Sequence, residues 1–353
     1  MLTRAVRILV IVSSGILHAQ TLHGVGSSSP YSLFSEWFKD YGKVNPAVKM
    51  HYKPTGSAHG IDQFIEGRAD FAVTDAPLTN DQREMARQKL GADVLQIPMM
   101  LAAVVPVYTV AGVDVELKFT GAALAGIYLG KITRWNDSEI ANANPGVPLP
   151  DEKIIVVHRS DSSDITYMWT EFLSKVSPAW RAGPGKGLNV KWPIGLGAKG
   201  DDGVEDLVIG PEGSYAYLVD DLVRSISNSI GYVQFHYAVD RKLPYGDVQN
   251  ASGNFARAAE LSIIAEAVSA AKSIPDAYRS SLVDVPSEIG YPISSFIWIL
   301  VPASMADKEK TKAMADFLKW MLKDGQNSAE ALHYVRLPSS IVGEALTEVA
   351  RLH

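Results

Sequence analysis

Short apolar runs alternate along this chain with longer stretches that carry an apolar residue at every third or fourth position. No other property restricts the fold as much, because a strand buried on both sides needs helices over each face of its sheet. The outcome is an α/β protein built on mostly parallel strands. The first unit opens with a strand at 22–25 and turns through three serines. It then enters a helix with Pro30 at its first position and Leu33, Phe34, Trp37, Phe38 and Tyr41 on one face. A second strand at 48–52 alternates with period two and leads into a helix carrying Ile61, Phe64 and Ile65, and a third strand covers 70–74.

Over 97–108 the chain leaves this unit for a second one, with a helix at 122–129, a strand at 154–157 and a long helix that turns Met168, Phe172 and Leu173 inward. A strand at 293–301 and an amphipathic helix at 312–322 then return it to the first unit. The expected organisation is two α/β lobes around a ligand cleft, with 21–97 and 290–353 in lobe I and 98–289 in lobe II. At 353 residues and 47% hydrophobic content the chain has material for two such cores. The glycine-rich stretch 195–203 reads as irregular surface loop.

Residues 1–20 read as a signal peptide: Arg4 and Arg7 form a basic start, 8–17 an apolar run too short to span a bilayer, and Leu17-His18-Ala19 a cleavage site. The chain has no cysteine, hence neither a lipid-anchor cysteine nor disulfides, and a soluble periplasmic protein is expected. The one long apolar stretch, 94–113, is interrupted by Gln96, Pro98, Pro106 and Thr109 and reads as buried strand. A net charge of −6 and the lack of any Lys/Arg run argue against nucleic acid as a partner, so an anionic ligand has to be held by local groups.

Three strand-to-helix turns are rich in hydroxyls: Ser27-Ser28-Ser29, Thr55-Gly56-Ser57 and Ser162-Ser163. Such turns offer free backbone N–H groups and side-chain donors, and in parallel sheets they gather at the carboxyl ends of the strands. Any one of them is accounted for as an ordinary helix N-cap, whereas three together suit a tetrahedral oxyanion. Arg159, just after a strand, supplies a forked donor, and Asp75 ends the third strand on the same side. A carboxylate in an anion site demands a ligand with a proton of its own to donate. Such a site would refuse a fully ionised oxyanion such as sulfate. Asp161 is spaced to orient Arg159, although turn-capping explains Asp75 and Asp161 equally well from spacing alone.

Eight segments carry a resemblance that extends over nearly all of the chain after its first twenty residues: GVGSSSPYSLFSEW (24–37), GSAHGIDQF (56–64), ADFAVTDAPL (69–78), IYLGKITRWND (127–137), VVHRSD (156–161), VKWPIGLGAKG (190–200), SIGYVQ (229–234) and YPISSF (291–296). They resemble the phosphate-binding protein of the phosphate-specific ABC uptake system. The resemblance implies the type II periplasmic-binding-protein fold and closure of two lobes over inorganic phosphate. It implies that Ser28, the backbone of Ser29, Ser57, Asp75 and Arg159 hold the anion, that Ser163 joins from the third turn, and that Asp161 supports the arginine. The partners implied are the membrane permease and ATPase subunits of an ABC phosphate importer, with the binding protein a monomer without cofactor.

This chain departs from the family pattern at the site. Ser28-Ser29 stands where the family reads Thr-Phe, and 161–165 reads D-S-S-D-I in place of D-G-S-G-T. Asp164 and Ile165 retain backbone N–H donors for the ligand. The extra carboxylate of Asp164 is expected to turn to solvent, and Thr166 to shift to replace the hydroxyl missing at Ile165. The stretch 207–221 reads as an insertion.

Gly195, Gly197 and Gly200 satisfy G-x-G-x-x-G, but with no clear strand before them or helix after them they are read as loop and not as a dinucleotide site. No histidine pair has metal-ligand spacing, so no metal is expected, and His59 and His158 are read as neighbours of the cleft without catalytic role. Trp37, Trp192, Trp298 and Tyr232 read as core. The expected function is a non-catalytic phosphate carrier. A carrier of arsenate or another oxyanion is the alternative, and a secreted phosphoester hydrolase is less favoured because nothing is spaced to activate a serine.

Overall fold

The computed structural model describes residues 20–208, 228–258, 268, 281–332 and 334–353. The expected signal segment, except for Gln20, and 209–221 of the expected insertion lie outside the described residues. The strands are β1 (Gln20–Gly26), β2 (Val48–Pro54), β3 (Phe71–Thr74), β4 (Val94–Thr109), β5 (Lys118–Phe119), β6 (Ile155–Arg159), β7 (Leu196–Ala198), β8 (Ser229–Gln234), β9 (Asp247–Gln249), β10 (Phe255–Ala256) and β11 (Ser294–Pro302).

Eight of these form one sheet in the order β2-β1-β3-β11-β4-β8-β6-β7, and β10-β9-β5 form a small second one. β4 is the shared element. Its first part, up to Ala103, pairs antiparallel with β11, and from Val104 onward it pairs antiparallel with β8. All of Leu95 to Tyr108 is buried, which explains why this strand reads as a continuous apolar run. Gln96 is the polar exception, and its Oε1 accepts from Arg83 Nη2 at 2.7 Å.

The register determines where a ligand can sit. β1, β2 and β3 run parallel, and Thr74, the last residue of β3, pairs with Trp298, which pairs with Pro98 of β4. β6, β7 and β8 also run parallel to one another, and Gln234, the last residue of β8, pairs with Val104 of β4. The carboxyl ends of both strand sets therefore converge on the middle of β4. In α/β sheets this is where helix N-termini and strand-end loops make a binding crevice.

Helix Tyr31–Val44 begins one residue after Pro30, which stands at the N-cap, and buries Leu33, Phe34, Trp37 and Tyr41. Phe34 stacks on Tyr52 at 4.7 Å between ring centroids, and Trp37 Nε1 donates to Gly325 O at 2.7 Å. Helix Lys308–Met321, capped by Asp307, packs Phe317 against Tyr41. Trp37, Trp298 and Tyr232 are fully buried as expected, whereas Trp192 is only partly buried and packs against the core's edge.

The stretch 195–203 is not an irregular loop. Leu196–Ala198 forms β7, parallel to β6, and helix Gly200–Val208 follows at once. A three-residue strand is too short to show periodicity, and the glycines that read as loop make the tight turns: Gly195 and Gly200 have φ of 111° and 73°. The G-x-G-x-x-G stretch thus has the strand and helix whose lack argued against it. Among the described residues, no helix is long and apolar enough to cross a membrane.

Candidate functional site

The three hydroxyl turns, far apart in sequence, line one cavity of about 670 Å³. Ser27, Ser28 and Ser29 come from the end of β1, Thr55, Gly56 and Ser57 from the end of β2, and Ser162 and Ser163 from beyond β6, together with Arg159, Asp161, Asp164 and Ile165. The sequence builds this wall locally. Thr55 and Gly56 both donate their N–H to Gly26 O, and Gly56 takes φ of 81° so that helix Ser57–Ile65 starts directly behind the β1 turn. Gly60 in that helix faces the same turn: a Cβ there would lie 2.3 Å from Gly26 Cα. Across the cavity, Ser163 caps helix Asp164–Val176, its hydroxyl accepting the Ile165 N–H at 3.2 Å.

Arg159 is buried and clamped by two acids. Asp161 accepts its Nε at 2.7 Å and its Nη2 at 2.5 Å, and Asp201 accepts Nη1 at 2.8 Å. Five donors less three leave the outer hydrogens of the fork for a ligand. Burial opposes the charge on the guanidinium, but the bonds to Asp161 and the Asp201 charge outweigh it and keep Arg159 protonated. Burial would raise Asp161, yet Arg159 holds it below its ordinary value, and Gly200 N–H also donates to its Oδ1 at 3.1 Å. Asp201 lies deeper: burial pushes it up to about 6 against the pull of Arg159.

Asp75 is fully buried and is linked to the cavity through its neighbours rather than lining it. Gln234 Nε2 donates to Asp75 Oδ2 at 3.0 Å and also to the Ser29 hydroxyl. Ser295 Oγ donates to the Asp75 carbonyl at 3.1 Å. Burial raises the carboxyl to about 7, with the hydroxyls of Ser27 and Ser29 and the Gln234 amide working against that rise. A carboxyl that titrates near neutrality beside an oxyanion cavity is fitted to exchange a proton with its contents.

Asp164 does not turn to solvent. It is buried at the first turn of its helix, and its Oδ2 accepts the Ser57 hydroxyl and, at 3.1 Å, the Asp75 N–H. Burial and the Asp75 charge push it well above its ordinary value. The reason lies in its partners: the Ser57 hydroxyl and the Asp75 N–H donate to the carboxyl and hold it inside. Thr166 has not shifted into the missing hydroxyl's place either. It is outside the cavity lining, and its hydroxyl pairs with Tyr232 OH at 2.8 Å, which also accepts the Arg159 N–H.

Sequence reasoning missed Asp201 and Gln234. Asp201 was hidden by the loop reading of 195–203. Gln234 left one trace, an amide closing the buried run of β8, where a polar group needs a partner. Lys199, Asp202, His236 and Tyr237 also line the cavity. His59 and His158 do not line the cavity. His158 stacks on Trp192 with centroids 4.6 Å apart. Among the described residues, no group of three or more acidic or histidine side chains could hold a metal ion.

A cleft between two strand sets, walled by helix starts and hydroxyl turns around a clamped arginine, defines a solute-binding protein of the periplasmic-binding class. The model of the PBP superfamily domain matches residues 15–325. Phosphate-binding protein PstS of Xylella fastidiosa is 38% identical over 322 residues, 91% of this chain and 82% of that protein. The protein of the same name from Pasteurella multocida is 36% identical over 345 residues, covering 97% and 94%. The chain belongs to the PstS phosphate-binding protein family. Solved structures share the fold at lower identity. The phosphate-binding protein of Stenotrophomonas maltophilia superposes with a TM-score of 0.62 at 20% identity, covering 93% of this chain and 94% of that one. An ABC-type phosphate transport receptor from Vibrio cholerae gives 0.57 at 18%, covering 90% and 100%.

Proposed function

We propose that the protein is a non-catalytic carrier that captures inorganic phosphate in the central cavity and hands it to the permease and ATPase subunits of an ABC importer. It works in the periplasm as a monomer, after loss of residues 1–20. The observation that carries this reading is the convergence of Ser28, Ser57, Ser163 and Arg159 on one cavity with buried Asp75 behind it. In this reading Ser28, Ser57 and Ser163, the Ser29 amide, the N–H groups of Asp164 and Ile165, and the free edge of Arg159 surround the anion. Asp75 receives its P–OH, and Asp161 and Asp201 hold the arginine. The names of the PstS relatives and of the Vibrio cholerae transport receptor support the same ligand and the same kind of importer.

The cavity opens and closes as lobe I moves against lobe II, a hinge motion of the kind that solute receptors use, with 98–103 staying with lobe I through their pairing to β11 rather than joining lobe II at 98. The change of partner along β4 between Ala103 and Val104 supports a hinge near that point. Hydrolysis of a phosphoester would need a base to activate a serine. The only histidine lining the cavity, among the described residues, is His236, whose Nε2 meets Tyr334 OH at 3.2 Å.

Calorimetric titration with phosphate, arsenate and sulfate tests the proposal. Phosphate and arsenate bind, because both are tetrahedral and protonated near neutrality, and sulfate does not. Arg159→Lys keeps the charge but loses the fork, and weakens phosphate about 10- to 100-fold, or about 1.5–3 kcal/mol. Sulfate binding as tightly as phosphate, or no phosphate binding under any condition, overturns this function.

A further inference from the structure

Asp164 places a carboxylate inside a cavity read as an anion site, and it does so in a specific way. Its Oδ2 takes the Ser57 hydroxyl, a donor the proposed site assigns to the ligand, and the Asp75 N–H beside it. Its other oxygen is buried and accepts no hydrogen bond of good geometry. The same holds for Oδ1 of Asp75, although the Ser27 hydroxyl lies near both acids. Two buried carboxyls whose charges act on one another, each with an unfilled acceptor, are poorly stable with both charged.

The surroundings do little to relieve them. Arg159 is the cation that acts on Asp164, and it is engaged by Asp161 and Asp201. Tyr52 feels both carboxylates and Tyr334 feels Asp75, and burial keeps both phenols neutral. Lys199, Asp202 and His236 also line the cavity, and Asp202 is held by Tyr237 OH and Arg241. The helix start at Asp164 favours its charge, but only weakly against complete burial.

We propose that Asp164 makes capture proton-coupled: the ligand enters with one more proton than Asp75 alone requires, and that proton lies between the Asp164 carboxyl and a ligand oxygen. The preferred ligand is then the dihydrogen monoanion of a tetrahedral oxyacid, which has two O–H groups for two carboxyl acceptors. The monohydrogen dianion has one O–H and leaves the second acceptor facing bare charge. Before entry, Asp164 occupies Ser57 and the Asp75 amide as a tethered competitor. On entry the ligand takes those donors; at alkaline pH its second O–H forms when the monohydrogen dianion takes a proton from solvent before capture, and the protein forms and breaks no covalent bond. This rests on the phosphate reading above.

The test is calorimetric titration of the full protein with phosphate from about pH 5.5 to about pH 8.5, in buffers of differing ionisation heat, on wild type, D164G and D164N. Over the alkaline half, the wild-type Kd rises about tenfold more per pH unit than that of either variant, with about one extra proton taken up per phosphate. Equal slopes and equal proton uptake overturn the proposal, since a merely structural role would shift affinity equally at every pH. If none of the three binds phosphate at any pH, the phosphate reading has failed. The proton device is then decided on the unliganded proteins: the Tm of wild type must fall more steeply with rising pH than that of D164N, and an equal fall overturns it.

Discussion

Asp75 and Asp201 are acids whose burial outweighs every donor around them, and both titrate above their ordinary value of 3.8, at about 7 and about 6. In the folded state they bind protons more readily than in the unfolded chain. Their contribution to stability is therefore complete below about pH 4 and is lost as pH rises through about 6 to 7. The Tm of the unliganded protein is expected to fall between pH 5 and pH 8, and Asp75→Asn to flatten the fall; a profile identical in the variant contradicts this. If Asp75 receives the ligand's P–OH as proposed, phosphate is expected to reverse part of the loss. The donors were legible at this scale, since serine turns and an arginine after a strand announce themselves in sequence. The acids were only half legible: Asp75 and Asp161 follow strands, but nothing in the residues near Asp164 tells that its side chain points inward.

Among the elements, helix Ser57–Ile65 sets how closely two of the hydroxyl turns approach. It packs against β1 through Gly60, which lies where any Cβ would strike the backbone of Gly26. Gly60→Ala must push the helix outward or strain the β1 turn, an overpacking cost of about 1–3 kcal/mol. It also moves Ser57 away from the Ser28 turn. The expected result is a denaturant midpoint shifted down together with weaker phosphate binding, and a variant with wild-type values in both measurements refutes this role. The strand-helix alternation that predicted these elements is a local signal, hence readable to within a residue or two for most of them, although the helix expected at 312–322 starts four residues earlier, at Lys308. β7 escaped it because three residues contain no period, and with β7 went the helix that carries Asp201 to Arg159.

At the scale of the molecule, the proposed closure would depend on polar contacts that run between distant parts of the chain. Gln234 reaches Asp75 across 159 positions and Ser57 reaches Asp164 across 107. If these contacts hold the closed form, small-angle scattering will give a smaller radius of gyration with phosphate than without, and Gln234→Ala will populate the open form more at equal phosphate. No change of radius on saturation would exclude hinge closure. By itself the sequence determined what neighbouring residues settle among themselves: the α/β alternation, the capped helix starts, the hydroxyl turns and the arginine with its first acid. Only the tertiary structure decided that Asp75 and Asp164 share one buried space, that a second acid clamps Arg159, and which way Asp164 faces. The physical reason is that burial and the identity of a hydrogen-bond partner belong to the packed chain: they arise when the ends of two strand sets meet over the middle of β4, and no local pattern encodes them.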